Sequence, residues 1–204
     1  MCFNLDGLDY KKKRIHIIIL DTRWYRDQLV YSYLTKDQRK TLNLGPYQPV
    51  FDQNATILGE QQWQWLDQQL SQKADLIILV SSIQVLNQYS GWEIWANFPK
   101  QRTKLLDLIA DKTDNNLIIL SGDVHRAEIS EITYKNTRIL EMTSSGLAVR
   151  TYPASINNHR VGEAINDLNY GMINIQSLDN KIDLTAAIYD SEGKQRLSAK
   201  MEIK

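Results

Sequence analysis

The apolar positions fall into two regimes along the chain. Through the first 120 residues, short unbroken apolar runs alternate with segments of helical period. Residues 15–20 (IHIIIL), 74–83 (ADLIILVSSI) and 117–120 (LIIL) are the unbroken runs. Runs of this kind, rich in β-branched residues, suit strands covered on both faces. His16 sits inside the first and is predicted to be a packed core or edge residue. Between the runs, QQWQWLDQQL repeats Trp63, Leu66 and Leu70 at spacings of three and four, with Trp65 off the stripe. That spacing predicts an amphipathic helix. Residues 97–110 predict a second helix, with Leu105, Leu106 and Ile109 inward and Asn97 as a candidate cap. Residues 35–51 are polar and contain Gly45, Pro46 and Pro49, so they read as a long surface loop.

From Glu128 onward the period changes to two. EISEITY and TRILEM flank Lys135-Asn136 as a hairpin, and INIQSL, DLTAAIYD and RLSAKMEI alternate around the turns LDNK and SEGK. Strand, helix, strand, helix, strand and then successive hairpins describe an α/β fold whose buried parallel or mixed strands, flanked by helices, lead into an antiparallel carboxyl-terminal sheet. At 204 residues, 43% apolar and 24% charged, the chain has the length and composition of a single domain spanning 1–204.

Charge narrows the functional classes. Lysine plus arginine equals aspartate plus glutamate at 24 each. The one short basic patch, residues 11–14, is predicted to solubilise a strand entrance, so no nucleic-acid or anionic-membrane footprint is expected. Cys2 is alone and can form no internal disulfide. No stretch approaches the roughly 20 apolar residues of a membrane helix, and the first residues lack the apolar centre of a signal peptide. A soluble chain without a membrane span is expected, its localisation otherwise open.

Candidate chemistry collects at the ends of the buried runs. Gly122-Asp123-Val124-His125 follows the third run directly, where α/β proteins present ligand-binding loops. A carboxylate and an imidazole two residues apart can face one cation, although a loop cap beside an ordinary hydrogen-bonded histidine fits the spacing as well. Asp21-Thr22-Arg23-Trp24-Tyr25-Arg26 follows the first run, and guanidinium groups suit a bidentate grip on phosphate or carboxylate; a surface ion-pair cluster is the alternative. Ser81-Ser82-Ile83-Gln84 ends the second run, and its hydroxyls and amide could orient a substrate or a metal-bound water, or form an ordinary polar terminus. Aromatic residues crowd the segment 91–98, and Thr143-Ser144-Ser145-Gly146 reads as a turn or an oxyanion contact. His16 and His159 lie outside any ligand-like spacing.

The order of these pieces, LDTRWYRD, LGEQQWQWLDQQL, VSSIQVL, WANFPKQR, LSGDVHRAEI, EMTSSGL and HRVGEAINDLNYGMINI, resembles the PhoD-like metallophosphatases, a branch of the calcineurin-like phosphoesterases, from about Ile15 to Ile175. The resemblance implies part of a calcineurin-like α/β sandwich that hydrolyses phosphate esters with a hydroxide held on metal ions, two in number, drawn from iron, calcium, manganese or zinc. Asp123 and His125 map onto the family's late metal-binding loop. Arg23 and Arg26 match the family's Asp-x-Arg-x-x-Arg pattern and are expected to support the phosphate pocket, directly or by orienting a ligand, with Arg23 also placed to act in catalysis. Gln84 stands where the wider superfamily often uses a histidine and is expected on the substrate side. The family's earlier ligand loops, of Gly-Asp-x-x-Tyr and Trp-Asp-Asp-His-Asp type, have no counterpart in these 204 residues. The expectation is therefore a carboxyl-terminal part of the catalytic unit, completed by an amino-terminal half from elsewhere or prone to self-association. Family members of this kind are often exported. The alternative expectation is a non-catalytic module that binds phosphate or a partner protein.

Overall fold

The computed structural model describes residues 4–10, 13–148, 151–178 and 181–203. Cys2, half of the basic patch (residues 11 and 12) and the centre of the LDNK turn lie outside them. Strand β1 (Asn4–Tyr10) runs antiparallel to β2 (Lys13–Ile19), with a register shift between Leu5 and Leu8. The sequence pattern does not announce β1, because NLDGLDY lacks strict alternation across that shift. In β2, Ile15, His16 and Ile18 are buried, as expected of a doubly covered run.

Residues 35–51 differ from the expected loop. They hold a helix, α1 (Lys36–Thr41), set between the two-residue strands β3 (Val30–Tyr31) and β4 (Tyr47–Gln48). Helix α1 buries no side chain. Local bonds make it instead: Gln38 N donates to Thr35 Oγ1 at 3.3 Å and Thr35 N to Gln38 Oε1 at 2.8 Å, a reciprocal capping box. An apolar period cannot reveal a helix that has no apolar face.

Helix α2 (Gly59–Leu70) buries Trp63, Leu66 and Leu70, leaving Trp65 half-buried. Strand β5 (Leu76–Val80) follows, then a single 3-10 turn (Trp95–Asn97) and helix α3 (Pro99–Lys112), which buries Leu105, Leu106 and Ile109. Asn97 does not cap α3. Pro99 occupies the first helical turn, so Phe98 takes the cap position, and the Asn97 amide donates to the Trp92 carbonyl at 2.7 Å. Strand β6 (Leu117–Ser121) completes the predicted trio.

The rest is antiparallel hairpins, as the two-residue period predicted. β7 (Ala127–Tyr134) and β8 (Thr137–Ser144) are joined by Lys135 and Asn136, with φ of 46° and 67°, the left-handed pair that a tight hairpin requires. β9 (Arg160–Ile165) adds to β7, and β10 (Asn169–Leu178), β11 (Lys181–Asp190) and β12 (Gln195–Ile203) form a meander.

The main sheet has the order β1-β2-β5-β6-β8-β7-β9, with β2, β5, β6 and β8 parallel, and the meander is a second, antiparallel sheet. Alternation along the buried runs explains why they are apolar throughout. Ile77, Leu79, Leu117 and Ile119 face α2 and α3, whereas Leu76, Ile78 and Ile118 face Ile182, Leu184, Ile188 and Met201 of the meander. The α/β architecture is as the sequence predicts: a mixed sheet with helices on one face and an antiparallel carboxyl-terminal sheet on the other. Among the described residues no helix is long and apolar enough to cross a membrane.

Candidate active site

Parallel pairing brings the candidate loops together. Ile19 pairs with Val80, Val80 with Leu120 and Ser121 with Thr143, so the carboxyl ends of β2, β5, β6 and β8 lie along one edge of the sheet. Thr22 and Ser82 hydroxyls bond directly across that edge. Asp21 acts on its own turn: Oδ1 accepts from the backbone amides of Trp24 and Arg23, each at 2.9 Å. Those two amides hold its carboxyl below the usual range despite partial burial. Gln62 of α2 grips the same backbone from both sides, accepting from Asp21 N and donating to Asp21 O at 2.8 Å each. The arginines thereby leave a braced turn rather than a loose loop.

The Gly-Asp-x-His loop is backbone-strained. Asp123 and His125 have φ of 70° and 54°, and Val124 N donates to Gly122 O at 2.9 Å in a tight turn. Non-glycine residues hold this left-handed region only when the surroundings fix them, and each costs about 1–3 kcal/mol. Here Ser145 fixes the His125 side of the loop: its Oγ accepts from His125 N at 3.0 Å, and its own amide donates to Arg126 O at 3.2 Å. Ser145 therefore braces the ligand-like loop, a task that the turn-or-oxyanion expectation for this segment did not contain.

Arg23 crosses to that loop. Its Nη2 donates to Asp123 Oδ1 at 2.7 Å, and its Nη1 pairs with Glu93. Arg26 Nη2 lies 3.5 Å from the same Glu93 carboxylate. Asp123, His125, Arg23 and Arg26 thus gather around one edge, with Glu93 between the two arginines. Sequence reasoning passed over Glu93, which stands in the aromatic segment, 70 positions from Arg23. An acidic residue among tryptophans was its only signal.

Asp123 and His125 line a cleft of ≈ 230 Å³ together with Val124, Trp92 and Tyr152. The Tyr152 ring lies 5.8 Å from the His125 ring and 6.2 Å from that of Trp92. As a metal site the cleft is incomplete. Among the described residues no group of three or more His, Cys, Asp or Glu side chains comes together, and Asp123 already shares one oxygen with a guanidinium. One carboxylate and one imidazole do not by themselves make a metal centre.

Gln84 is not on the cleft. It is fully buried behind it, donating through Nε2 to Glu128 and, at 3.1 Å, to Thr143 Oγ1, while Oε1 accepts from Asn87 at 3.2 Å. Glu128 also bonds Arg160 Nε and lies 3.9 Å from Arg126 Nη2. Burial alone would raise its carboxyl; Arg126, Arg160 and Gln84 overcome that and hold it below the ordinary value. Next to it, Glu141 accepts from Val85 N and Leu86 N at 2.7 and 2.6 Å, yet full burial pushes its carboxyl up. Arg102 closes the network on the Val85 and Leu86 carbonyls at 2.7 and 3.1 Å. The loop after β5 is therefore anchored by buried charge, and Gln84 is one of its anchors.

Comparison with known proteins supplies the family and the fold. The sequence profile of the PhoD-like phosphatases matches residues 13–187. Alkaline phosphatase D of Bacillus subtilis (strain 168) is 31% identical over 123 residues, which cover 56% of this chain and 20% of that protein. A solved structure of PhoD superposes with a TM-score of 0.61 at 18% identity, covering all of this chain and 44% of that one. "GAP50 the anchor in the inner membrane complex of Plasmodium" superposes at 0.58 with 15% identity, covering 100% and 54%. At such identities the two superpositions speak for the fold alone. The chain spans about a fifth of the curated relative and about half of the solved chains.

Proposed function

The chain belongs to the PhoD-like phosphatase family, and from that premise we propose that it carries the later part of a phosphoric ester hydrolase site, with Asp123 and His125 as two of its metal ligands. The observation that carries this is their joint placement on one cleft, on a strained loop braced by Ser145 and crossed by Arg23. Strain held at the end of a central strand is a feature of functional loops. A metal bound there would supply a hydroxide and neutralise phosphate charge; iron, calcium, manganese and zinc all suit oxygen and imidazole donors. The remaining donors would come from an amino-terminal segment in the same polypeptide or a separate one, or through self-association.

The chain's own residues do the positioning. Arg23 holds one oxygen of Asp123, which leaves the other free to turn toward a ligand, and Glu93 fixes the guanidinium that does so. Arg26, tied to the same Glu93, adds positive charge beside the cleft for an incoming phosphate ester. The substrate role expected of Gln84 becomes a supporting one, since its amide is committed inside the core.

The test is hydrolysis of p-nitrophenyl phosphate and bis-p-nitrophenyl phosphate with manganese, zinc, iron or calcium supplied. The chain expressed with the coding sequence preceding it should turn over at least one ester, and Asp123→Asn and His125→Ala should each lower kcat/KM by roughly 100-fold or more, about 2.7 kcal/mol of transition-state stabilisation. Unchanged turnover in both variants would remove the assignment. A second reading, a non-catalytic phosphate-binding or protein-interaction module, is favoured by the count of only two ligands among the described residues. Saturable phosphate binding with no turnover under any metal would select it.

A further inference from the structure

The cleft is more aromatic than a site for bare phosphate needs. Trp92, Tyr152 and His125 form a continuous run of rings, with centroids 6.2 and 5.8 Å apart and planes inclined by 38° and 32°. Ring pairs at these distances are in aromatic contact, so the three rings make up one wall of the cleft. Asp123 lines the same cleft, two positions before His125 in the chain. Trp92 and Tyr152 are 38% and 42% exposed, and both line the cleft.

The wall is also held in place. Trp92 packs over Gly45, where a Cβ would come within 2.6 Å of its ring, and Gly45 is bonded to the neighbouring loop through its amide to Ser90 O at 2.9 Å. The Trp92 amide donates to Ser90 Oγ at 3.2 Å, and its carbonyl accepts from Asn97 at 2.7 Å. A ring fixed in advance loses little entropy when a ligand stacks on it.

Size limits the occupant. At ≈ 230 Å³ the cleft is below the about 300–1,000 Å³ common for ligand pockets. It has room for one ring and a phosphoryl group.

We propose that the aromatic wall formed by Trp92 and Tyr152 is a subsite for a planar ring on the ester side of the substrate, so that the site takes aryl or heteroaryl phosphate esters in preference to small alkyl ones. This rests on the phosphoesterase reading for its orientation: the phosphoryl group sits toward Asp123 and Arg23, and the ester group then lies along Tyr152 and Trp92. Two aromatic contacts of this kind give roughly a tenfold preference.

The probes are phenylphosphonate and methylphosphonate, which share a phosphoryl head and are not hydrolysed. Binding to the 204-residue chain is followed by amide chemical shifts in nuclear magnetic resonance. Phenylphosphonate should bind roughly tenfold more tightly, Trp92→Ala and Tyr152→Ala should each remove most of that preference, and Trp92→Phe and Tyr152→Phe should keep it. Equal affinity for the two probes, absence of binding by either, or a preference untouched by both alanine changes overturns the proposal. Because no turnover is involved, the two claims separate. A ring preference in a protein that never hydrolyses an ester removes the catalytic reading and leaves the subsite; turnover without ring preference does the reverse.

Discussion

Changing Glu128 to glutamine removes one negative charge from a fully buried polar cluster while nearly keeping the side chain's shape. Glu128 and Arg126 are 0% and 1% exposed, Arg160 Nε bonds the Glu128 carboxylate directly, and Arg126 Nη2 is 3.9 Å away. At that separation a pair of unit charges attracts by about 4 kcal/mol at an effective dielectric near 20, offset in part by the desolvation of both ions. In Glu128→Gln the two guanidinium groups stay and their counter-charge goes. Breaking a buried pair in this way costs about 3–5 kcal/mol; the glutamine oxygen keeps the bonds from Gln84 and Asn87 while its amide N–H faces the Arg160 donor, so a loss of at least about 3 kcal/mol is expected. For a chain of this size that corresponds to a drop of roughly 6–12 °C in Tm. Guanidinium unfolding followed by circular dichroism reads the loss.

The pH dependence gives the same claim a sign. The Glu128 carboxyl lies below its ordinary value of 4.5 when folded. Its stabilisation is therefore complete above 4.5 and is lost as pH falls through the lowered folded value. The advantage of the natural chain over Glu128→Gln should be level at neutral pH and shrink below about pH 4.5. A loss under about 1 kcal/mol at pH 7, or an advantage that grows on acidification, would refute the role assigned to the cluster.

Three further changes probe the site's framework. Gly45→Ala places a Cβ 2.2 Å from the Gly91 carbonyl oxygen, backbone against backbone, so thermal unfolding should show a loss of about 1–3 kcal/mol and near-ultraviolet dichroism a changed Trp92 environment. Ser145→Ala takes the acceptor from the His125 amide; stability should fall by about 1 kcal/mol, and amide exchange at Val124 and His125 should quicken while that of β6 stays constant. Glu93→Ala removes the shared partner of Arg23 and Arg26, but Arg23 is 46% exposed, so urea unfolding should detect less than about 1 kcal/mol; a larger loss would show that Glu93 supports the fold and not the site.

Much of the fold was legible because burial writes directly into the sequence. The runs at β2, β5 and β6 are apolar on both faces since helices cover one side and the meander the other. The stripe of Trp63, Leu66 and Leu70 and the Lys135-Asn136 turn carry equally local signals. Helix α1 escaped since Thr35 and Gln38, rather than an apolar face, define it. Asn97 was drawn elsewhere by Pro99 and the Trp92 carbonyl.

At the site, position relative to a strand end was readable, which is why Asp123, His125 and Arg23 converge as anticipated. Partnership across the sheet was not. Whether an amide such as that of Gln84 faces solvent or a buried carboxylate depends on Glu128, 44 positions away, and the pairing of Trp92 with Tyr152 depends on two loops that no period connects.

The most direct measurement of the central claim is metal content. The chain expressed with its preceding coding sequence is loaded with manganese, zinc, iron or calcium, desalted and analysed by mass spectrometry, beside Asp123→Ala and His125→Ala. Coordination by this loop predicts bound metal that falls by about one equivalent or more in each variant while circular dichroism is unchanged. Equal metal content in all three proteins, or none in any, would contradict it.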